Sequence, residues 1–189
     1  PSTANTAALS FAHELGVRYS EGLYKNTFIG RTFIMPGQVE RKKSVKYKLV
    51  PQELEIRDKK VLIMDDSIVR GNTSREIVRM LRDFGAREVY FAVACPPVKS
   101  PCFYGVDMPT RDELIAGNKS EKEIEKYLEV DTLLYQEIDS LVEAVTRKGD
   151  HHIDRPCMAC LDGQYVGNDV DDAKMDEMET MRENDRNGN

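Results

Sequence analysis

Apolar residues recur along this chain with two alternating periods. Ala7, Ala8, Leu9, Phe11, Ala12 and Leu15 fall on one face of a helix that Gly16 ends. A short strand is expected at Val17 to Tyr19. The run Val61-Leu-Ile-Met64, inside Lys60 to Asp66, has the continuous apolar character of a buried strand. Ile77, Val78, Met80, Leu81 and Phe84 then return to helical spacing, and Gly85 follows as a natural stop. Glu88 to Ala94 and Asp131 to Tyr135 read as further strands, and Leu141 to Val145 lies in a late helix. Thr110 with Glu113, Ser120 with Glu123, and Thr73 with Glu76 have capping-box spacing, so helices are expected to start at each. This alternation predicts an α/β fold, a mostly parallel sheet flanked by helices.

Beyond Lys148 the pattern changes. Glycine and proline become frequent, two cysteines appear, and an acidic tail follows. We place a boundary there: a domain over 1–148 and an extension over 149–189.

Charge sharpens this division. The net charge of the 189 residues is −6. Eight acids and three bases between 169 and 189 put −5 in the tail and leave −1 for the rest. A near-neutral body argues against nucleic-acid binding. The tail reads as a solvated end, although Met175, Met178 and Met181 are spaced for a short docking helix. No apolar run reaches the roughly 20 residues of a membrane helix. No basic-apolar leader is present, which predicts a cytoplasmic, reducing setting with free or liganded thiols. The first residue is Pro1, so the chain is expected to be a piece of a longer protein.

The chemistry concentrates in Val61-Leu-Ile-Met-Asp65-Asp66-Ser67-Ile68-Val69-Arg70-Gly71-Asn72-Thr73-Ser74. A buried strand runs into two adjacent carboxylates, then a loop with a glycine, then a helix rich in hydroxyls. Backbone N–H groups of such a loop and first helical turn converge, with the helix dipole, on a site for phosphate. Ligands of parallel α/β sheets bind at the carboxyl ends of the strands, where this pair sits. Adjacent acids repel unless a cation or hydroxyl donors offset them. A ribose phosphate supplies both hydroxyls and phosphate. Each feature alone is ordinary for a strand end or a helix cap; the four together point to a site. Neither a Walker loop nor a dinucleotide fingerprint occurs here.

The stretch resembles the phosphoribosylpyrophosphate (PRPP) motif of the type I phosphoribosyltransferases, in the form found in glutamine PRPP amidotransferases. Three further stretches carry the resemblance: Lys25-Asn26 through Gly30-Arg-Thr-Phe-Ile-Met-Pro-Gly-Gln38, Tyr104-Gly-Val-Asp107, and Asp112-Glu-Leu-Ile-Ala116. It covers about Pro1 to Val166. It implies a type I phosphoribosyltransferase fold with a basic flexible loop and a cysteine-containing C-terminal extension. It implies that Asp65 and Asp66 hold the ribose hydroxyls and take part in Mg2+ binding, and that Ser67 through Ser74 hold the 5′-phosphate. Asn72 stands where the family often has Thr. Thr3 takes the position of a hydroxyl that helps bind magnesium and pyrophosphate; capping the first helix is an equal alternative for it. Lys25 and Arg31 lie in the matching catalytic motif. Six bases against one acid between Arg31 and Lys48 match the family's catalytic loop, suited to a leaving pyrophosphate.

Cys157-Met-Ala-Cys160 alone suits a zinc half-site, a redox pair or chance spacing. The resemblance implies that Cys102, Cys157 and Cys160 are ligands of a [4Fe–4S] cluster, with a fourth cysteine upstream of Pro1, while Cys95 is a core residue. It implies displacement of pyrophosphate from PRPP by ammonia, the first step of purine synthesis. A separate N-terminal glutaminase domain would supply the ammonia from glutamine, purine nucleotides would act as feedback inhibitors, and the protein would be a homo-oligomer. The competing readings are a non-catalytic PRPP- or nucleotide-binding regulatory module and a base-adding phosphoribosyltransferase.

Overall fold

A helix opens the chain because Gly16, at φ 66°, closes it cleanly: its N–H reaches the carbonyl of His13 at 3.2 Å, and that of Val17 reaches Ala12 at 3.0 Å. This helix, α1 (Asn5–Leu15), is the first element of a computed structural model that describes residues 3–26, 49–147, 155–167 and 170–187. The expected strand at Val17 to Tyr19 does not form. Val17 is 55% exposed there, and Arg18 instead reaches Glu55 at 2.9 Å, so tertiary contacts override a three-residue propensity. The strand lies further on: β1 (Leu23–Lys25) pairs antiparallel with β2 (Leu49–Pro51) as a two-stranded ribbon.

A short helix, α2 (Glu53–Ile56), leads into the main sheet. Its strands are β3 (Lys60–Asp65), β4 (Glu88–Val93) and β5 (Thr132–Tyr135), parallel and in that order. The register sets Asp65 opposite Val93, and Val93 opposite Tyr135, so the three carboxyl ends align. β4 is central, and Val89 and Phe91 on it are fully buried. Each crossover is helical: α3 (Asn72–Asp83) joins β3 to β4, and the β4–β5 connection ends in α5 (Glu121–Leu128) after a 3-10 turn (Arg111–Glu113) and the short α4 (Ile115–Asn118). The core is built from Ile77, Val78 and Leu81 of α3, Ile124 and Leu128 of α5, and the sheet. Each such side chain contributes roughly 1.5–3 kcal/mol on burial. Both capping boxes, Thr110–Glu113 and Ser120–Glu123, are present. The expected box at Thr73 is absent. Gly71 takes the N-cap position in a left-handed conformation, and α3 starts at Asn72.

The segment beyond 148 is bound to the body. Helix α6 (Ile138–Thr146) precedes it, and the short α7 (Ala159–Asp162) buries Met158 and Leu161 against Val98 and Leu114 in a second core. The tail is not a free solvated end: it forms α8 (Asp172–Asn187). Arg111 holds it through Glu179 at 3.1 Å and also through Asp176, and Arg182 donates to the carbonyls of Met108 and Cys102 at 2.9 and 3.2 Å. Acidic side chains that read as solvated are here engaged by one arginine.

Candidate phosphoribosyl site

β3 delivers Asp65 and Asp66 to the carboxyl edge of the sheet. The Asp65 carbonyl accepts from Ala94 N–H at 3.0 Å, which locks the strand end to β4. The Asp65 carboxylate accepts from Asp66 N–H at 3.0 Å, and Ser67 Oγ donates to Asp66 Oδ1 at 3.1 Å. Burial pushes the Asp65 carboxyl upward; the Asp66 N–H opposes this and the Asp66 charge adds to it. Asp66 itself is exposed. The pair therefore joins a partly desolvated acid to a solvated one, an arrangement that gains from a cation or from hydroxyl donors.

The loop that follows is fixed from beneath. Ile68 is 2% exposed and anchors it in the core. The Val69 carbonyl accepts from Ile115 N–H at 3.0 Å, and Arg70 Nε donates to Glu113 Oε1 at 2.8 Å. Gly71 has φ 78°, and a Cβ there would stand 2.8 Å from Ile115 Cδ1 and 3.2 Å from Tyr127 Cε1. Only glycine fits both that dihedral and that wall. Helix α3 begins at a glycine N-cap with no side-chain cap bond, so the N-cap residue leaves the donors at its N-terminus uncovered. Ser74 is buried, whereas Asn72 and Thr73 are exposed. Asn72 Oδ1 accepts from Tyr127 Oη at 2.8 Å.

Asp65 through Ser74 are thus brought together by one strand–loop–helix unit. Lys25 ends β1 with its side chain exposed. Thr3 is exposed just before α1; Ala4, not Thr3, occupies the N-cap, and no side-chain cap bond is made. No hydrogen bond among the described residues ties Lys25 or Thr3 to the acidic pair. Arg31 and the basic run to Lys48 lie outside the described residues. A cavity of about 510 Å3 opens between α1 and the outer edge of β3, beside Asp65. Phe11, Leu15, Leu62 and Met64 line it together with Arg18, Lys59 and Lys60.

Sequence reasoning missed Tyr127 altogether and, although it marked the stretch from Asp112 to Ala116, missed that Glu113 and Ile115 tether the loop from more than forty positions away. No local signal marks Tyr127.

The cysteine region is assembled differently. Lys99 N–H and Ser100 N–H both donate to the Cys160 carbonyl, at 2.9 and 3.0 Å, which pins α7 beneath the loop carrying Cys102. Cys102 Sγ accepts from Tyr104 N–H at 3.3 Å, and the Phe103 and Tyr165 rings meet edge to face at 5.1 Å. Burial raises the Cys160 thiol, and Cys102 and Cys157 raise it further. Cys157 is exposed, and Cys95 is half-buried with its thiol raised first by burial and then by Cys160. Among the described residues no group of three or more His, Cys, Asp or Glu side chains is placed to hold a metal ion.

Residues 12–140 match the phosphoribosyl transferase domain. The chain is 49% identical over 182 residues to the amidophosphoribosyltransferase of Pseudomonas aeruginosa, covering 96% of this chain and 36% of that protein. It is 43% identical over 185 residues to the Escherichia coli amidophosphoribosyltransferase, covering 98% of this chain and again 36% of the relative. The solved glutamine PRPP amidotransferase from B. subtilis, complexed with ADP and GMP, superposes with a TM-score of 0.75 at 42% identity, covering 88% of this chain and 37% of the other. The chain therefore spans little more than a third of the length of these relatives.

Proposed function

The chain belongs to the phosphoribosyl transferase domain family, and from that premise we propose that it is the synthase domain of an amidophosphoribosyltransferase. In this reading ammonia attacks C1 of PRPP. The C1–N bond forms, the C1–O bond to pyrophosphate breaks, and the nitrogen loses a proton, giving 5-phosphoribosylamine in the first step of purine synthesis. The observation that carries the proposal is the conjunction at one strand end: an acidic pair, a buried left-handed Gly71, and a helix that starts with no side-chain cap.

Asp65 and Asp66 accept from the ribose hydroxyls and fix C1 relative to the nucleophile. The loop from Ser67 to Ser74 offers backbone donors and hydroxyls to the 5′-phosphate, and the positive end of α3 favours that charge. Lys25, Arg31 and the bases up to Lys48 balance negative charge as it grows on the leaving pyrophosphate. Two carboxylates alone do not complete a cation site, which suits Mg2+, since it is usually held by one or two carboxylates plus substrate oxygens. Asp65 and Asp66 would hold it, with Thr3 beside them. The ion would neutralise charge on the pyrophosphate.

The remaining two-thirds of the relatives' length leaves room for a glutaminase domain that supplies the ammonia. The complex of the B. subtilis relative with ADP and GMP supports purine nucleotides as feedback ligands, probed best on a homo-oligomeric parent. No helix among the described residues is long and apolar enough to cross a membrane, in keeping with a cytoplasmic biosynthetic enzyme. The test is to supply the full-length parent with PRPP, Mg2+ and either glutamine or ammonium, and to follow pyrophosphate release. Release that depends on a nitrogen donor is expected. PRPP bound without turnover on either donor would instead favour the regulatory-module reading.

For the cysteines we propose a structural [4Fe–4S] cluster on Cys102, Cys157 and Cys160. Cys102 and Cys157 lie near enough to Cys160 to raise its thiol, and three thiolates are the right donors for such a cluster. As placed, however, they do not close a site among the described residues, and no step of the reaction runs through it. Anaerobic purification of the full-length parent should yield iron and sulfide together. Stoichiometric zinc without iron would replace the cluster, and no metal would leave three free thiols.

A further inference from the structure

We propose that Tyr127 is a positioning residue of the phosphate loop, whose hydroxyl orients the Asn72 amide so that its Nδ2 donors face the phosphate. This rests on the phosphate-site reading above. Asn72 is the first residue of α3, beside the Gly71 turn and at the uncapped helix start. Its carboxamide has one donor end and one acceptor end, and rotation by half a turn about the last bond exchanges them. A hydroxyl in its place, as the family often has, rotates freely and needs no such control. An unheld amide would sample both orientations before the anion arrives, and turning its donors inward would then cost part of the binding free energy.

Tyr127 removes that alternative. Its Oη donates to Asn72 Oδ1 at 2.8 Å, so the acceptor end is engaged on α5 and the donor end turns the other way. The ring itself is held. Its edge stands where a Cβ on Gly71 would be only 3.2 Å from Cε1, so it lies against the loop backbone. The Arg75 guanidinium lies 4.7 Å from the ring centroid, and Arg75 is in turn fixed by Glu129 at 2.6 Å. A cation over the ring polarises the phenol toward stronger donation. Glu129, Arg75, Tyr127 and Asn72 thus form one chain of contacts that ends at the helix N-terminus.

The experiment is a mutant cycle on the full-length parent, with PRPP binding measured by titration calorimetry and melting temperature recorded for each variant. The four proteins are wild type, Tyr127→Phe, Asn72→Thr, and both together. Tyr127→Phe keeps the ring, the Gly71 wall and the Arg75 contact, and removes only the orienting bond. We expect it to raise the Kd for PRPP about three- to tenfold, the range for one lost hydrogen bond, with an unchanged melting temperature. In the Asn72→Thr background the same change should have no effect on Kd, because the substituted threonine directs its own hydroxyl. Equal losses in both backgrounds, or no loss with Asn72 present, would overturn the proposal. If the wild-type protein itself does not bind PRPP, the reading of the site fails, and that result is distinct from a wild type that binds and a Tyr127→Phe variant that binds equally well.

Discussion

The phosphate loop and the cysteine region are built on opposite plans. Asp65 through Ser74 are consecutive: the strand and helix on either side place them, and three distant residues tether the loop between. Cys102, Cys157 and Cys160 come from two stretches more than fifty residues apart, and a second small core of Val98, Leu114, Met158 and Leu161 brings those stretches together. The first plan makes geometry mainly a local property, trimmed by the tethers from Glu113, Ile115 and Tyr127. The second makes it a property of packing. A change that unseats α7 should therefore disperse the thiols and leave the acidic pair in place.

The largest effect we expect is at the pair itself. Asp65→Asn with Asp66→Asn in the full-length parent should reduce PRPP-dependent product formation by at least about a hundredfold, the scale for losing groups that position and stabilise the reacting centre. Glutamine hydrolysis should persist. Labelling of Cys157 and Cys160 should be unchanged, because nothing in the second core has moved. Altered labelling would show that the two regions are coupled.

The reciprocal change is Leu161→Ala. Leu161 is 5% exposed, and truncating a buried leucine costs about 2–5 kcal/mol. In the metal-free protein this should appear as local release of 155–167, read as faster thiol labelling of half-buried Cys160. PRPP affinity should change far less than the labelling rate, by about twofold to threefold, because the second core meets the loop through Val69. A loss of PRPP affinity as large as the gain in labelling rate would show that the two regions are coupled.

How much of each region could be read in the chain follows from the same contrast. The strand at Lys60, the acidic pair, the helix after Gly71, the capping boxes at Thr110 and Ser120, and the stops at Gly16 and Gly85 are all set by near neighbours and were legible. The cap at Thr73 was misplaced because Gly71 can adopt the left-handed turn one position before Asn72. The strand at Val17 was wrong because three residues carry too little pattern to outweigh a contact such as Arg18 with Glu55. The tail reads as solvated until Arg111, 65 positions from Asp176, is known to lie against it. Tyr127 was invisible for the same reason: its meaning lies in Asn72, 55 positions away.

The smallest effect concerns the exposed end of the loop's support. Arg79, and next Arg75, lower the Glu129 carboxyl from its ordinary 4.5 to about 2. A lowered acid contributes stability that is fully present above its unfolded value and is lost as pH falls through the folded one. Melting temperature should therefore decline between pH 4.5 and about 2 by slightly more in the wild type than in Glu129→Gln. The difference should be small and shrink further in salt, because these charges meet solvent. Superimposable profiles at low salt would remove Glu129 from the network behind Tyr127.

We propose that the unit from Asp65 to Ser74 holds the ribose 5-phosphate of PRPP, and a crystal structure of the full-length parent with PRPP and Mg2+ would locate it. We predict the ribose hydroxyls on Asp65 and Asp66 and the 5′-phosphate within hydrogen-bond distance of the N–H groups at the start of α3. PRPP bound elsewhere, with that helix start facing only solvent, would overturn this assignment.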